Sequence, residues 1–108
     1  MKAAYLVVRA VVVEMADRAR FDIWYKKEHL PDALKAFRAQ SAARGWSTHD
    51  PNVHVAFYRF ASLEAAKAAT SGPAIKALIE EFDRVWGDRV TRTRDILVIE
   101  DEMTGGLG

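Results

Sequence analysis

Trp24, Tyr25, Glu28, His29 and Asp32 crowd into one stretch, WYKKEHLPD, which begins as an amphipathic helix and runs into Pro31. A proline disfavours helical dihedrals in the residue before it, so Leu30 is expected to leave the helix and His29 to occupy its last turn. There the negative helix end and Glu28 favour the imidazolium, while apolar surroundings favour the neutral ring. A histidine poised between those effects suits general acid–base chemistry, commonly worth about 10²–10⁴ in rate. Asp32, just across the proline, is expected to take the second ring proton and fix the tautomer. Tyr25 brings a hydroxyl that needs a partner if buried, and Trp24 a flat apolar surface for a planar substrate. Each has a plainer alternative: a surface histidine closing a helix, a first-turn acid, and aromatics that are only core.

A second set lies on expected strands. Tyr5 and Arg9 share a face of the first, and His54 and Tyr58 share a face of a later one. If both faces line one cavity, they would donate to a substrate carbonyl, enolate or carboxylate. Alternation alone leaves open which face of residues 53–60 does so. Arg92 and Arg94 alternate in the same way, either as charges that protect an edge strand or as an anion clamp. His49 and His54 stand on different segments across a turn, with no known metal-ligand spacing, so no metal site is expected. The chain has neither a glycine-rich phosphate loop nor a nucleophile elbow.

Residues 4–13, AYLVVRAVVV, are β-branched with a period of two, and give the first strand. Asp17 is placed to cap the aromatic helix, in which Phe21, Trp24, Tyr25 and Glu28 mark one face. Pro31 and Asp32 then suit the first turn of a new helix carrying Ala33, Leu34 and Phe37. Strands around 42–48 and 53–60 flank a turn with Pro51 and Asn52 at its centre, a hairpin. Ser62 caps an alanine-rich helix ending at Ser71-Gly72. Pro73 opens another, with the stripe Ile75, Leu78, Ile79, Phe82 and Trp86, and Gly87 stops it. Residues 88–100 return to strand.

The order is β-α-β-β-α-β. It specifies an α+β, ferredoxin-like fold: a four-stranded antiparallel sheet with its helices on one face. The uncovered face carries Val7, Val11 and Val13 beside Tyr5, too apolar to meet water alone. A second copy's sheet is expected to cover it, the two enclosing a barrel-like cavity in a homodimer.

At 108 residues the chain is expected to be one domain over residues 1–102, followed by a flexible tail at 103–108. A net charge of +1 supplies no field for nucleic acid or an anionic membrane. The amino-terminal apolar run is split by Arg9 and lacks a cleavage pattern, so it reads as a strand, and no run is long enough for a membrane span. The absence of cysteine excludes disulfides and thiolate chemistry and fits a cytoplasmic protein.

From Ala4 to about Asp101 the chain resembles the dimeric α+β barrel superfamily, and within it the EthD-like small proteins. The part that carries the likeness is WY-x-x-EHLPD, here Trp24 to Asp32, an aromatic first helix with a histidine shortly before a proline. The resemblance implies a cavity for a small hydrophobic, aromatic or lactone-like molecule and cofactor-independent proton transfer, as in an isomerase, lyase or cyclase. Members also include cofactor-free monooxygenases, haem enzymes and proteins without known activity. A non-catalytic ligand-binding dimer and an oxygenase, either cofactor-free or with haem on a single histidine, therefore stand as alternatives.

Overall fold

Strand β1 (Ala4–Val12) lies at the centre of the chain's only sheet among the described residues, and its alternation decides what each face carries. The computed structural model describes residues 1–106. After β1 come α1 (Arg18–Trp24), a π-helical turn (Tyr25–His29), α2 (Leu30–Phe37), β2 (Ser41–Trp46), β3 (Val53–Phe60), α3 (Leu63–Ala69), α4 (Pro73–Trp86) and β4 (Val90–Val98). The sheet is antiparallel throughout, in the order β2-β3-β1-β4. This is the ferredoxin-like arrangement expected from the sequence. Met103–Gly106 carry no regular structure, and the last residues of the expected tail, Leu107 and Gly108, lie outside the described residues. No described helix is long and apolar enough to cross a membrane.

Register sorts the side chains, because residues opposite one another share a face. Leu6 pairs with Tyr58 and Ile96, Val8 with Ala56 and Arg94, and Ala10 with His54 and Arg92. This is the face under the helices, where Leu6, Ala10, Ala56 and Phe60 join Phe21, Phe82 and Trp86 in the core. On the other face Tyr5 meets Arg59 and Leu97, Val7 meets Phe57 and Asp95, and Arg9 meets Val55 and Thr93. The helices leave that face open, so Phe57 and Leu97 remain 41% and 45% exposed.

The first helix corrects an expectation. It does not stop at His29: Trp24, Tyr25, His29 and Leu30 all keep right-handed helical dihedrals, and the chain stays helical to Phe37. Pro31 is accommodated because the turn before it widens, with the Leu30 N–H donating to the Tyr25 carbonyl, five residues back. An inserted residue already leaves a carbonyl without an α-type donor, so a proline that has no N–H costs little there.

The same turn solves a facing problem. Phe21, Tyr25, Ala33 and Phe37 are all buried, and His29 half-buried, at a strict spacing of four. In an unbroken α-helix each such step drifts about 40°, so Phe37 would lie about 160° from Phe21. Absorbing one residue in the π turn cuts that to about 60°. The spacing can then be read as one inward stripe.

Several local expectations hold. Ser62 Oγ accepts the Ala65 N–H at 3.1 Å, and Gly87 ends α4 with φ 56°, a conformation that glycine adopts without strain. Asp17 does not cap: it is buried and instead accepts from Arg20 at 2.7 Å, with Arg89 3.6 Å away.

Candidate functional site

Between the sheet and the helices lies a cavity of about 40 Å³, room for roughly three waters. β1 floors it with Leu6, Val8 and Ala10, and α4 walls it with Ile79 and Phe82. Into this apolar shell converge Tyr25 and His29 from the π turn, His54 and Tyr58 from β3, and Arg92 and Arg94 from β4. An apolar hollow with a few convergent polar groups is the usual form of a small-molecule site.

The two tyrosines touch. Their hydroxyls are 2.9 Å apart, each able to donate to the other, and both side chains are buried. Burial drives the Tyr25 hydroxyl well above an ordinary phenol, with Tyr58 adding to the rise. Burial pushes Tyr58 up to about 12, partly offset by its hydrogen bond with Tyr25. Both are therefore neutral near pH 7, and the pair has one O–H left to offer a ligand. Tyr58→Phe leaves the Tyr25 hydroxyl without its partner and is expected to cost about 1–3 kcal/mol. The Tyr25→Phe, Tyr58→Phe double variant should recover part of that loss in urea unfolding, and strictly additive losses would show the bond to contribute nothing.

His29 stacks on Trp24 with ring centroids 4.8 Å apart at 22°, and meets Tyr25 and Phe82 edge-on. Burial, with the Arg92 guanidinium second, lowers its pKa to about 4. The upward pull expected from a helix terminus is missing because the helix continues. Near pH 7 His29 is a neutral ring, and among the described residues nothing hydrogen-bonds to it. Arg92 is held beside it by lying 3.7 Å over the Phe82 ring and donating to Asp83 at 3.1 Å.

His54 is buried on the other side of Tyr25, their ring centroids 4.5 Å apart. Its Nε2 lies 3.4 Å from an Arg44 nitrogen, and the same nitrogen donates to Asp22 Oδ1 at 2.8 Å. Trp46 Nε1 donates to that carboxylate oxygen as well. These bonds from Trp46 and Arg44 hold the Asp22 carboxyl below its usual pKa, so it stays ionised. Burial, with Arg44 second, lowers His54 to about 4.

This has a consequence for acid stability. The unfolded chain's histidine takes up a proton near pH 6.5, whereas folded His54 resists until about 4. Folding stability is thus full above pH 6.5, declines as pH falls toward 4, and levels off below. The loss from His54 should be on the order of 2 kcal/mol, allowing for solvent screening, and His29 acts in the same sense. Urea midpoints across this window are expected to fall with acid, with a shallower fall in His54→Gln; a flat profile in the native chain would contradict the buried neutral rings.

Other expected site residues lie elsewhere. Tyr5 and Arg9 sit on the uncovered sheet face, so they cannot meet His54 and Tyr58 in one cavity within the chain. Asp32 is exposed, and among the described residues it makes no hydrogen bond to His29, whose ring turns inward. Trp24 backs His29 from behind and does not line the cavity. Arg92 and Arg94, expected chiefly as edge-strand charges, both reach the wall because their register with Ala10 and Val8 puts them under the helices. Asp22, Arg44 and Trp46 were missed, since the pairing of β2 with β3 brings Arg44 and Trp46 beside His54, and Asp22 meets them from α1.

A variant of SnoaB, a cofactor-independent oxygenase from Streptomyces nogalater, superposes with a TM-score of 0.72 at 11% identity, covering 97% of this chain and 100% of that one. The chain has the ferredoxin-like fold of the α+β barrel proteins. HapK from Hahella chejuensis shares it at a TM-score of 0.67 and 12% identity, covering 97% of this chain and 98% of its own. An ethyl tert-butyl ether D (EthD) family protein from Bacillus halodurans C-125 does so at 0.62 and 17%, covering 95% and 100%. No family model and no curated relative matches the sequence. At these identities the likeness carries the ferredoxin-like fold and no residue roles.

Proposed function

We propose that this chain binds a small, largely apolar carbonyl compound between sheet and helices and moves a proton on it without a cofactor, as an isomerase, lyase or cyclase does. The observation behind this reading is a neutral His29 on the wall of an apolar cavity that is also lined by the Tyr25–Tyr58 hydroxyl pair. His29 removes a proton beside the carbonyl, and the free tyrosine O–H stabilises the oxygen as charge develops on it. Arg92 adds a fixed positive charge on the same side. Arg94, exposed at the rim, and half-buried His29 are the wall groups that give way as a ligand larger than three waters enters.

The test uses 2-tetralone, whose C1 protons are acidic. Exchange of those protons with D2O above the buffer rate, together with movement of the His29 ring resonances, is expected. Binding without exchange would make the protein a non-catalytic ligand-binding module. A second reading, a cofactor-independent oxygenase, is favoured by the similarity to SnoaB. It begins with the same proton removal and is distinguished by oxygen consumption.

The uncovered sheet face, with Val7, Val55, Phe57 and Leu97 side by side, suits a second copy of the chain. Sedimentation should show a dimer at micromolar concentration, and Phe57→Asp should shift it to monomer. A monomeric native chain would remove this part of the reading.

A further inference from the structure

His54 contains a hydrogen-bonding contradiction that neither the fold nor proton transfer at His29 requires. The ring is 1% exposed, yet its Nδ1 is buried with no hydrogen-bond partner among the described residues. Orphaned buried groups of this kind are rare and point to a partner from outside the chain. Which form the nitrogen takes follows from its neighbour. An arginine can only donate, so Nε2, facing Arg44 at 3.4 Å, must be the lone-pair nitrogen. The single ring proton of neutral His54 is therefore on Nδ1, and the unpartnered group is a donor.

Arg44 itself is held in place, through its bond to Asp22, which Trp46 also grips. Arg44 is not part of the cavity wall, whereas His54 is, as are Tyr25 and Tyr58. The chain Asp22–Arg44–His54 thus runs from the protein's rim to a ring on the cavity wall, whose buried Nδ1–H has no acceptor among the described residues.

We propose that His54 is a fixed hydrogen-bond donor to a carbonyl oxygen of the ligand, through an Nδ1–H that Arg44 enforces. This rests on the reading of the cavity as a site for small carbonyl compounds and names the group that selects the carbonyl. Asp22 and Arg44 are positioning residues: they set the tautomer and touch no ligand. The two histidines then divide the work, His29 accepting a proton and His54 donating a hydrogen bond. A ligand of the same shape without an acceptor oxygen leaves the His54 donor unsatisfied and is disfavoured.

Long-range ¹H–¹⁵N correlation spectra of the whole protein at pH 7 test this, with acetophenone and its oxygen-free analogue ethylbenzene as probes. In the free protein His54 is expected as the Nδ1–H tautomer. Arg44→Met should populate the Nε2–H form and Arg44→Lys should restore the original. Acetophenone should move the His54 Nδ1–H resonance and bind about tenfold more tightly than ethylbenzene, the size expected of one hydrogen bond. That preference should vanish in His54→Phe and persist in His54→Asn, whose amide nitrogen takes the place of Nδ1. An Nε2–H tautomer in the native chain overturns the proposal. So does acetophenone binding that moves His29 but leaves His54 unmoved, and that outcome spares the proton-transfer reading. No shift of any cavity resonance at millimolar acetophenone overturns both.

Discussion

Replacing Phe21 by alanine is expected to destabilise the folded chain by about 3–5 kcal/mol, the largest loss from any single truncation in the core. Phe21 is fully buried, and its ring stands at the meeting point of both layers. It lies 5.5 Å from Tyr25, 5.2 Å from His54, 6.0 Å from Phe82 and 5.3 Å from Trp86, centroid to centroid, mostly edge-to-face. Rings of that size cannot collapse into the space that is left, so the cavity term adds to the lost burial. Phe21→Leu keeps most of the volume and should cost less than half as much. Urea unfolding monitored by tryptophan fluorescence measures both. A loss under about 1 kcal/mol for the alanine variant would mean that the aromatic cluster is not the structural centre of the domain. Because Phe21 touches both Tyr25 and His54, the same variant should loosen the site.

Much of this centre was legible in the sequence. Period-two alternation marks β1 and β3, and Ser62, Pro73 and Gly87 bound the helices where the structure has them. The proline was legible as well but was read by the wrong rule. Pro31 normally ends a helix, yet the strict spacing of Phe21, Tyr25, His29, Ala33 and Phe37 fits one inward stripe only if a single turn absorbs one extra residue. Local dihedral preference gave way to the burial of five inward side chains. That single change moves His29 from a charged helix end to a neutral cavity wall.

The site was legible in type but not in assembly. Tyr25, His29, His54 and Tyr58 are all legible as candidates and Tyr5 as a residue of the uncovered face, whereas alternation leaves open which face of residues 53–60 lines a cavity; the register with Leu6 and Ala10 puts Tyr58 and His54 on the covered one. Arg44 reaches His54 through the pairing of β2 with β3, and Asp22 reaches Arg44 from α1, so neither contact is written in local sequence. Long-range register, more than residue type, separates the groups that meet from those that do not.

His29→Gln should lower the rate of proton exchange on 2-tetralone by about 10²–10⁴ while leaving its binding nearly unchanged. Glutamine keeps a polar group of similar reach but cannot accept a proton at neutral pH. The pH dependence identifies the group independently. A base works only when neutral, so the rate should be flat from pH 8 down to 6 and fall only near 4, where folded His29 takes up its proton. An ordinary exposed histidine would show that fall near 6.5. Arg92→Met removes one of the two causes of the low pKa and should shift the inflection upward, toward neutrality. If the variant exchanges as fast as the native chain, or if the native inflection sits near 6.5 and ignores Arg92, His29 is not the base. A low inflection that rises in Arg92→Met would instead tie the proton acceptor to the one histidine that stacks on Trp24 and faces the tyrosine pair.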